Sequence, residues 1–363
     1  MYEARLITRR ESFMALEEDW ESLVRHIEDA EIFDFWDWNR IYVKHFLEDD
    51  GLFVVALYDG ARCVAIAPMR IYCKRFRKFP LLKVRAMQPI DSGYKDYCRF
   101  YLHRDYRYSE LIERLIDVIV EHRAEWDYIE LVNFNSRHRT TRLVQQAFRS
   151  RLDTTVERYE ETPFVDYRSF SKATVNKQRL SAIDRKERKL LRENQVNVQV
   201  GQPFDQRKWE AMVELHRRRW GESSVFSDSR SIAFWNELLY ALDRRKQLEF
   251  SFLEVEGQLA AAHMGFQTDK KIYYYTPAFD PAYADKGVGL VLLKRMLGHY
   301  REQRKEEFDF LRGSESYKFY WTDRSGMNHN IYVLNDGFKK WLLKGYVAIK
   351  TGPRRMKEGG GSE

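Results

Sequence analysis

The sequence predicts an α/β fold made of two successive units with a similar plan. Each half carries amphipathic helix patterns and a hairpin, whose turn is Asp59-Gly60 in the first half and Glu256-Gly257 in the second. Further strand and helix patterns follow each hairpin in the same order. This repeat of architecture in a chain of 363 residues indicates two α/β units of one fold, with a boundary near residues 161–171.

Hydrophobic spacing defines the elements of the first half. Apolar residues recur at helical intervals over 13–27 and predict one helix there. A basic link at 74–78 leads from the hairpin to the later strands. The other elements expected here are helices at 37–46 and 108–125 and strands at 52–58, 62–72, 82–88, 97–102 and 128–132.

The second half is interpreted in the same way. The chain ends in a Gly-rich segment at 359–363, which has nothing to bury and is predicted to be disordered. The expected elements are helices at 172–194, 206–220, 229–243 and from 287, and strands at 248–256, 258–266, 272–276 and 308–311.

Composition limits the class of protein. Charged residues make up 32% and hydrophobic residues 44% of the chain, as in ordinary soluble proteins. No apolar run predicts a transmembrane helix, and the first residues lack the apolar segment of a secretory signal. The cysteines, Cys63, Cys73 and Cys98, cannot all pair and are interpreted as thiols in a reducing compartment. The sequence therefore predicts a cytoplasmic protein.

Net charge and histidine spacing give weaker indications about the partners and cofactors of the protein. The net charge of +7 fits an anionic partner, such as a cofactor phosphate, a nucleotide or a membrane surface, but an excess of this size also arises by chance. The histidines are scattered, and no His/Cys set has metal-ligand spacing. No nucleophile elbow or Walker phosphate loop is present. We therefore predict that no metal is required.

A Gly-x-Gly pair opens a predicted helix in the second half. Gly287-Val288-Gly289 follows a strand and a turn-rich loop and precedes an apolar-periodic helix. Backbone N–H groups at such a helix start can hold a phosphate without a charged side chain. A plain permissive turn also uses glycines, so the position of the pair, and not the pair alone, indicates a pyrophosphate site.

A polar and aromatic segment, Gly313–Trp321, follows the last predicted strand, where α/β folds place ligands. One interpretation is a capped helix with Tyr317 and Trp321 packed on the core. The other is functional, because Lys318 has aromatic neighbours and little solvent unless it serves an anion. Lys318 would then lower the pKa of Tyr317 and prepare it to protonate a leaving thiolate. Glu315 is the carboxylate of this segment.

Two basic stretches and one histidine leave alternatives open. Residues 216–220 and 177–192 are basic helical patterns, either solvated faces or sites for an acidic or phosphorylated ligand. His263 lies in a strand of small residues, where a histidine is usually a core residue but beside a cofactor would be a general base. The first half has neither a Gly-x-Gly helix start nor a Tyr-Lys pair, so we place the chemistry in the second half and acceptor binding in the first.

Four segments of the second half carry a family resemblance. The last two are specific in order and spacing, whereas the first half is similar only in outline. The segments are 180–193, Leu215-His216-Arg217-Arg218-Arg219-Trp220, 277–289 with its Gly-x-Gly, and 308–321 with Tyr317-Lys318. Together they resemble the GNAT-like acyltransferases of the CelD type from cellulose biosynthesis and, more distantly, the FemABX peptidoglycan aminoacyl transferases.

The resemblance implies two tandem GNAT-like domains, each a mixed, mostly antiparallel sheet flanked by helices. The expected ranges are 1–165 for a structural or acceptor-binding domain, 166–350 for the acyltransferase domain, and 351–363 for a basic, Gly-rich tail. The implied reaction transfers an acyl group from acetyl-CoA, another acyl-CoA or a related thioester to an amine or hydroxyl of an envelope or exopolysaccharide precursor. Ala284 departs from typical acetyl-CoA enzymes, which carry Gln or Arg there, although Lys286 could supply the charge.

The expected mechanism is direct transfer without a covalent enzyme intermediate. Glu315 or His263 takes the acceptor's proton, Tyr317 protonates the leaving group, and Lys318 holds charge. Lys318 matches a lysine that contacts substrate phosphate in FemABX enzymes, which makes it the first residue to mutate. The predicted donor-binding residues are Tyr274, Tyr275, Thr276, Lys286, Gly287, Val288, Gly289 and Leu290. The predicted substrate-binding residues are Arg217, Trp220, Arg312 and Trp321.

Two alternatives stay open. An aminoacyl-tRNA donor would bind the basic helices at 177–192 and 217–219, with an affinity that falls steeply with salt. No long heptad pair, such as the arm of tRNA-binding FemABX enzymes, is visible in the sequence. A non-catalytic adaptor in a polysaccharide-synthase assembly would keep the fold for binding alone. The expected acceptor is a small molecule or a lipid- or sugar-linked one, and peripheral association with a polysaccharide-synthesis complex fits either function.

Overall fold

The chain folds into two compact units, and the boundary between them falls within one long strand. The computed structural model describes residues 2–47, 51–76, 79–169 and 175–352. Unit 1 takes the residues up to Glu160 and those from Met327 onward, and unit 2 takes Glu161–Gly326. None of the helices in these ranges is both long and apolar enough to cross a membrane.

The described residues form thirteen strands, ten helices and several short 3₁₀ turns. The strands are β1 (Glu3–Ile7), β2 (Leu52–Asp59), β3 (Arg62–Phe76), β4 (Phe79–Pro89), β5 (Tyr101–Leu102), β6 (Tyr128–Asn135), β7 (Asp153–Asp166), β8 (Val196–Gln199), β9 (Leu248–Val255), β10 (Gln258–Gln267), β11 (Lys271–Phe279), β12 (Glu307–Asp309) and β13 (Ser325–Leu334). The helices are α1 (Arg10–Met14), α2 (Glu17–Arg25), α3 (Trp36–Phe46), α4 (Tyr108–Glu121), α5 (Arg139–Arg149), α6 (Lys177–Glu193), α7 (Gln206–Trp220), α8 (Ser229–Arg244), α9 (Val288–Glu302) and α10 (Lys340–Thr351).

Unit 1 is a mixed sheet in the order β1-β2-β3-β4-β6-β13, followed by the first half of β7. Strands β4 and β6 are parallel, whereas β6 and β13 are antiparallel. Helix α10 packs through Leu343 and Val347 on Tyr128 of β6 and Tyr332 of β13. Residues 327–352 therefore belong to unit 1, because their strand pairing and their apolar contacts lie there.

The observed units differ from the predicted ranges 1–165, 166–350 and 351–363. The first boundary lies at 160/161, within β7, and the chain returns to unit 1 at Met327 instead of staying in the second domain. Thr351 is still helical as the last residue of α10. The predicted tail from 353 onward, the last residues of the basic link at 77–78, and the predicted helix start at 172 lie outside the described residues.

The space between β4 and β6 in unit 1 is filled by the chain itself. These strands pair only at Ala86–Met87 with 128–129. Farther along β6, the Cys98 N–H donates to the Asn133 carbonyl at 2.9 Å, and the Asn133 side chain donates to the Lys95 carbonyl at 2.9 Å. The segment carrying Lys95 and Cys98 therefore occupies the edge of β6 that β4 leaves open.

Unit 2 is a mixed sheet in the order β7 (second half)-β12-β11-β10-β9-β8. Strands β11 and β12 are parallel, and the neighbouring pairs are antiparallel. Tyr274 belongs to the core cluster shared with α9, whereas the next residue, Tyr275, contacts Trp235 of α8 at 5.4 Å between ring centroids. Because successive strand residues point to opposite faces, α9 and α8 cover opposite faces of this sheet.

Two predicted elements of the first half are wrong in extent. The helix expected over 13–27 is divided into α1 and α2, so that the Phe13 ring packs 5.0 Å from Trp36 and 5.8 Å from Trp20. The strand expected over 97–102 is reduced to β5, because the preceding segment pairs with the edge of β6.

Candidate functional site

The sheet of unit 2 opens between β11 and β12. The two strands are paired over three positions, the last being Tyr273 opposite Asp309. The chain then turns toward β7, where the Phe310 N–H donates to the Pro163 carbonyl at 3.0 Å. Strand β11 continues to Phe279 without β12 beside it. From residue 274 onward β12 therefore no longer pairs with β11, and this stretch is the open edge of β11.

A tight loop after β12 fixes this divergence. Leu311 adopts a positive φ of 60°, and its N–H donates to the buried Asp309 carboxylate at 2.8 Å. Gly313 has a φ of 112°, and a Cβ there would lie 2.5 Å from the Glu315 carboxylate. The Gly313 N–H donates to the Glu161 carbonyl at 2.9 Å. The φ of Gly313 is one that residues with a side chain rarely adopt, and glycine adopts it without strain.

Lys318 is a structural clamp of the same loop. Its side chain is buried, with 3% of the residue exposed. The ammonium donates to the carbonyls of Arg312 at 2.7 Å and Gly313 at 3.3 Å, and it forms an ion pair with Glu315 at 2.8 Å. The chain itself thus supplies the partners that were expected from an anionic ligand. The role of Lys318 in catalysis stays a prediction, and the structure gives the residue a positioning role.

The start of α9 is an uncapped helix N-terminus. Gly287 has a φ of 66°, and the first intrahelical bond runs from the Val291 N–H to the Gly287 carbonyl at 3.1 Å. In the described part of the chain, no side chain caps this end, and no acidic residue lies in the first turn. The N–H groups of Val288, Gly289 and Leu290 precede that first bond and have no partner within the helix. These amides can therefore bind an anion.

A lysine that sequence reasoning did not select covers this helix start. The side chain of Lys186, on α6, lies so close to Gly287 that a Cβ there would be 2.9 Å from its Cδ and 3.5 Å from its Nζ. The predicted Lys286 instead donates to Asn194 at 3.2 Å, and its ammonium lies 5.2 Å from the Tyr283 ring centroid. Lys186 is thus the cation placed over the glycine turn.

Two phenols and an arginine meet at the open edge. Burial raises the pKa values of Tyr274 and Tyr317 above the ordinary tyrosine value, and the nearby Arg219 guanidinium offsets part of this rise. The Arg219 guanidinium lies 4.2 Å from the Phe279 ring centroid and 5.1 Å from that of Trp220, which is 48% exposed. The expected lowering of the Tyr317 pKa by Lys318 is therefore wrong: burial dominates, and the facing cation is Arg219.

His263 lies beneath this site in a buried polar network. Its ring is stacked on Tyr274 at 4.3 Å, and its Nδ1 is bonded to Glu249, which also accepts from the Tyr300 hydroxyl at 3.1 Å. The residue is 0% exposed, and its Nε2 has no hydrogen-bond partner among the described residues. A Cβ at Gly265 would overlap the imidazole. These contacts favour the core interpretation, and a role as general base stays a prediction.

The structure separates the remaining predicted residues. Thr276 is buried on β11, and Tyr275 points to the opposite face from Tyr274. Arg217 donates to the Phe226 carbonyl at 2.9 Å and thereby holds the loop after α7. Trp321 is buried in the core of unit 2, as the alternative interpretation expected.

Arg219, Phe279 and Lys186 are the site residues that sequence reasoning missed. The run 216–220 was noticed, but two residues along a helix place side chains about 200° apart, so Arg219 and Arg217 serve different faces. Lys186 is three residues from Ile183, which is buried, and only the packing of α6 on α9 reveals its position. In the ranges that the structure describes, no group of His, Cys, Asp and Glu could hold a metal ion.

Comparisons with known proteins agree with this geometry. Residues 177–319 match a family model described as Acetyltransferase (GNAT) domain. No curated protein matches the chain in sequence. A crystal structure of FemX is similar, with a TM-score of 0.60 and 13% identity over 94% of this chain and 99% of that chain.

Two further solved structures share the fold. L-PGS from Bacillus licheniformis has a TM-score of 0.53 and 11% identity over 93% of this chain and 97% of that chain. The C-terminal domain (DUF2156) of a putative lysylphosphatidylglycerol synthetase from Agrobacterium fabrum has a TM-score of 0.51 and 10% identity over 94% and 98%, respectively. The predicted fold class, two tandem GNAT-like domains, is confirmed. Residues 177–319 are thus similar to a GNAT acetyltransferase domain.

Proposed function

We propose that unit 2 transfers an acyl group from an acyl-CoA or a related thioester to an amine or hydroxyl of an envelope or exopolysaccharide precursor. The observation that carries the proposal is the meeting of two features. The open edge of β11 ends at Phe279, and a Cβ at Gly289, in the uncapped start of α9, would lie 3.5 Å from that ring. A carrier with its anionic group at the helix start can therefore lay its extended arm along the open edge of β11.

The residues at the helix start fit a pyrophosphate. The N–H groups of residues 288–290 point out of the helix end, and the Lys186 ammonium adds a positive charge over the turn. Gly287 and Gly289 carry no side chain, which leaves room for close approach of phosphate oxygens. A carrier with a neutral arm and an anionic end, such as CoA, matches both parts of this surface.

The residues around the open edge of β11 supply the groups that acyl transfer needs. When bound, a thioester supplies an electrophilic acyl carbon. Backbone N–H groups on the open edge of β11 can donate to the acyl oxygen. Loss of one such preorganised donor typically raises the activation barrier by about 3–4 kcal/mol. Tyr317 keeps its hydroxyl proton at neutral pH because burial raises its pKa, so it can protonate a leaving sulfur. The exposed Glu315 carboxylate, two residues before Tyr317, is the proposed base that takes the acceptor's proton.

An aminoacyl-tRNA donor is the second candidate function. The observation that favours it is the exposed basic face of α6, in a fold similar to that of FemX. Such a face binds the phosphate backbone, and its affinity falls steeply as salt rises. The exposed basic residues of α6 are Lys177, Arg179, Arg185, Lys186, Arg188, Lys189 and Arg192.

Thermal stabilisation separates these functions. The chain is melted alone, with acetyl-CoA, with longer acyl-CoAs and with aminoacyl-tRNA, and release of free CoA thiol is then measured with candidate amine and hydroxyl acceptors. The proposal expects stabilisation by acyl-CoA and thiol release that depends on the acceptor. Stabilisation by tRNA alone, lost at high salt, would favour the second candidate. No stabilisation by any donor would favour a non-catalytic adaptor.

A further inference from the structure

A cavity of about 280 Å³ lies in unit 1, away from every residue assigned above. Its walls include the first residues of α5 and the residue that begins α4, Tyr108. Both helices lack a side-chain cap at this end, and the first turn of α5 contains no acidic residue. The first turn of α4 carries Glu110, so the start of α5 is the positive helix end at this space.

Two buried side chains of this wall keep a polar atom without a partner. His138 is 3% exposed, and its Nε2 is bonded to Glu31 at 3.0 Å, while its Nδ1 has no partner among the described residues. Thr140 is 6% exposed, and its hydroxyl is likewise unpaired there. Leaving a buried polar atom unpaired lowers the stability of the folded chain. Both residues line the cavity, so a ligand inside it lies next to the residues that carry these two atoms.

The charges around the cavity are arranged in two zones. Arg139 lies in the wall at the start of α5, with its guanidinium 5.7 Å from the Tyr108 ring centroid. Glu28 and Asp29 lie in the wall as well, and Asp29 accepts from the buried Arg99 at 2.8 Å. The zone at α5 favours an anion, whereas the carboxylates favour hydroxyl groups, which donate hydrogen bonds to them.

We propose that this cavity is a binding site for a small molecule that carries one phosphate or carboxylate group beside hydroxyl groups. The anionic group accepts from the start of α5, Thr140 and Arg139, and the hydroxyl groups donate to Glu28 and Asp29. The proposal stands whether or not unit 2 has the function given above, because all of these residues lie within unit 1.

The test is hydrogen exchange of the amides at 136–142, measured with glycerol 3-phosphate, glycerate and inorganic phosphate at matched ionic strength. The expected result is slower exchange at these amides with glycerol 3-phosphate or glycerate, and a weaker effect with inorganic phosphate. A stronger effect of glycerol 3-phosphate identifies the anionic group as a phosphate, and a stronger effect of glycerate identifies it as a carboxylate. Absence of slower exchange with all three ligands would overturn the proposal.

Variants make the result specific. Thr140→Val keeps the shape of the side chain and removes its hydroxyl, and Arg139→Gln removes the charge; each is expected to weaken binding about tenfold. Thr140→Ser restores the hydroxyl, and Arg149→Gln removes an equal charge from the far end of α5, so both are expected to bind as the wild type does. Equal binding by Thr140→Val and wild type would also overturn the proposal. Gly287→Ala alters only the site in unit 2 and is expected to leave these amides protected.

Discussion

At the scale of single residues, Lys318 shows how a buried charge can serve the chain that carries it. A lysine among aromatic residues suggested an anionic ligand, but its ammonium already has two carbonyls and one carboxylate as partners. Its effect on the site is indirect, because it holds the loop after β12 and so keeps β12 away from β11.

Replacing Lys318 is therefore expected to cost stability as well as activity. Lys318→Ala leaves the carbonyls of Arg312 and Gly313 without their donor, and we expect a loss of about 1–3 kcal/mol in the free energy of unfolding. Urea denaturation measures this loss, with Lys189→Ala, an exposed lysine of α6, as the control. Lost turnover with unchanged stability would instead indicate direct contact between Lys318 and substrate.

His216 is expected to make stability depend on pH. Burial, with a smaller contribution from Arg219, lowers its pKa to about 4, and its Nδ1 is bonded to the Ser224 hydroxyl at 2.8 Å. The unfolded chain, with a histidine pKa of about 6.5, binds the proton more tightly than the folded chain does. The stability that this residue contributes is therefore complete above about pH 6.5 and is lost as pH falls toward 4.

The size of this effect is measurable. Between pH 7 and pH 5, wild type is expected to lose about 2 kcal/mol more than His216→Asn, which does not titrate. Urea denaturation of both proteins at the two pH values gives the difference. Parallel losses in the two proteins would show that His216 is not buried in its neutral form.

At the scale of elements, the glycine at the start of α9 and the glycine in its interior have different roles. Gly287 has a φ of 66° and lies against Lys186, whereas a Cβ at the exposed Gly298 would have nothing within 4 Å. The first glycine shapes the proposed anion site, and the second only lowers helix propensity.

Alanine at these two positions should therefore act in opposite ways. Gly287→Ala is expected to lower stability by about 1–2 kcal/mol and to weaken CoA binding about tenfold, because the left-handed conformation and Lys186 both oppose a Cβ. Gly298→Ala is expected to raise stability by about 0.5–1 kcal/mol with unchanged affinity. Thermal denaturation and calorimetric titration measure the two quantities. Equal CoA affinity in the two variants would show that Gly287 is not part of the anion-binding site.

Several elements of strong local periodicity could be predicted from the sequence, although the amphipathic helix α5 was missed, and elements that depend on distant pairing could not. Helix α7 and both hairpins follow from apolar spacing and turn residues. Strand β13 was missed because it buries Asn328 and Asn330, which bond to Asn135 and Glu157 at positions where apolar residues were expected. The Gly-x-Gly helix start was found from its sequence, whereas Arg219 and Lys186 reach it through packing between helices, which spacing along the chain does not show.

At the scale of the whole molecule, the two units differ at equivalent places. In unit 1 the edge of β6 beyond its pairing with β4 is occupied by the segment around Cys98. In unit 2 the edge of β11 beyond its pairing with β12 is open and leads to the uncapped start of α9. Because of this difference, the extended carrier is expected to bind in unit 2 alone.

Hydrogen exchange of the full chain with and without CoA tests this claim most directly, because every acyl-CoA shares the same pyrophosphate. Slower exchange is expected at the backbone amides of 274–279 and 288–291, with no change at 90–100 or 128–135 of unit 1. Protection of the unit 1 segments, or no protection at the start of α9 under saturating CoA, would contradict the account.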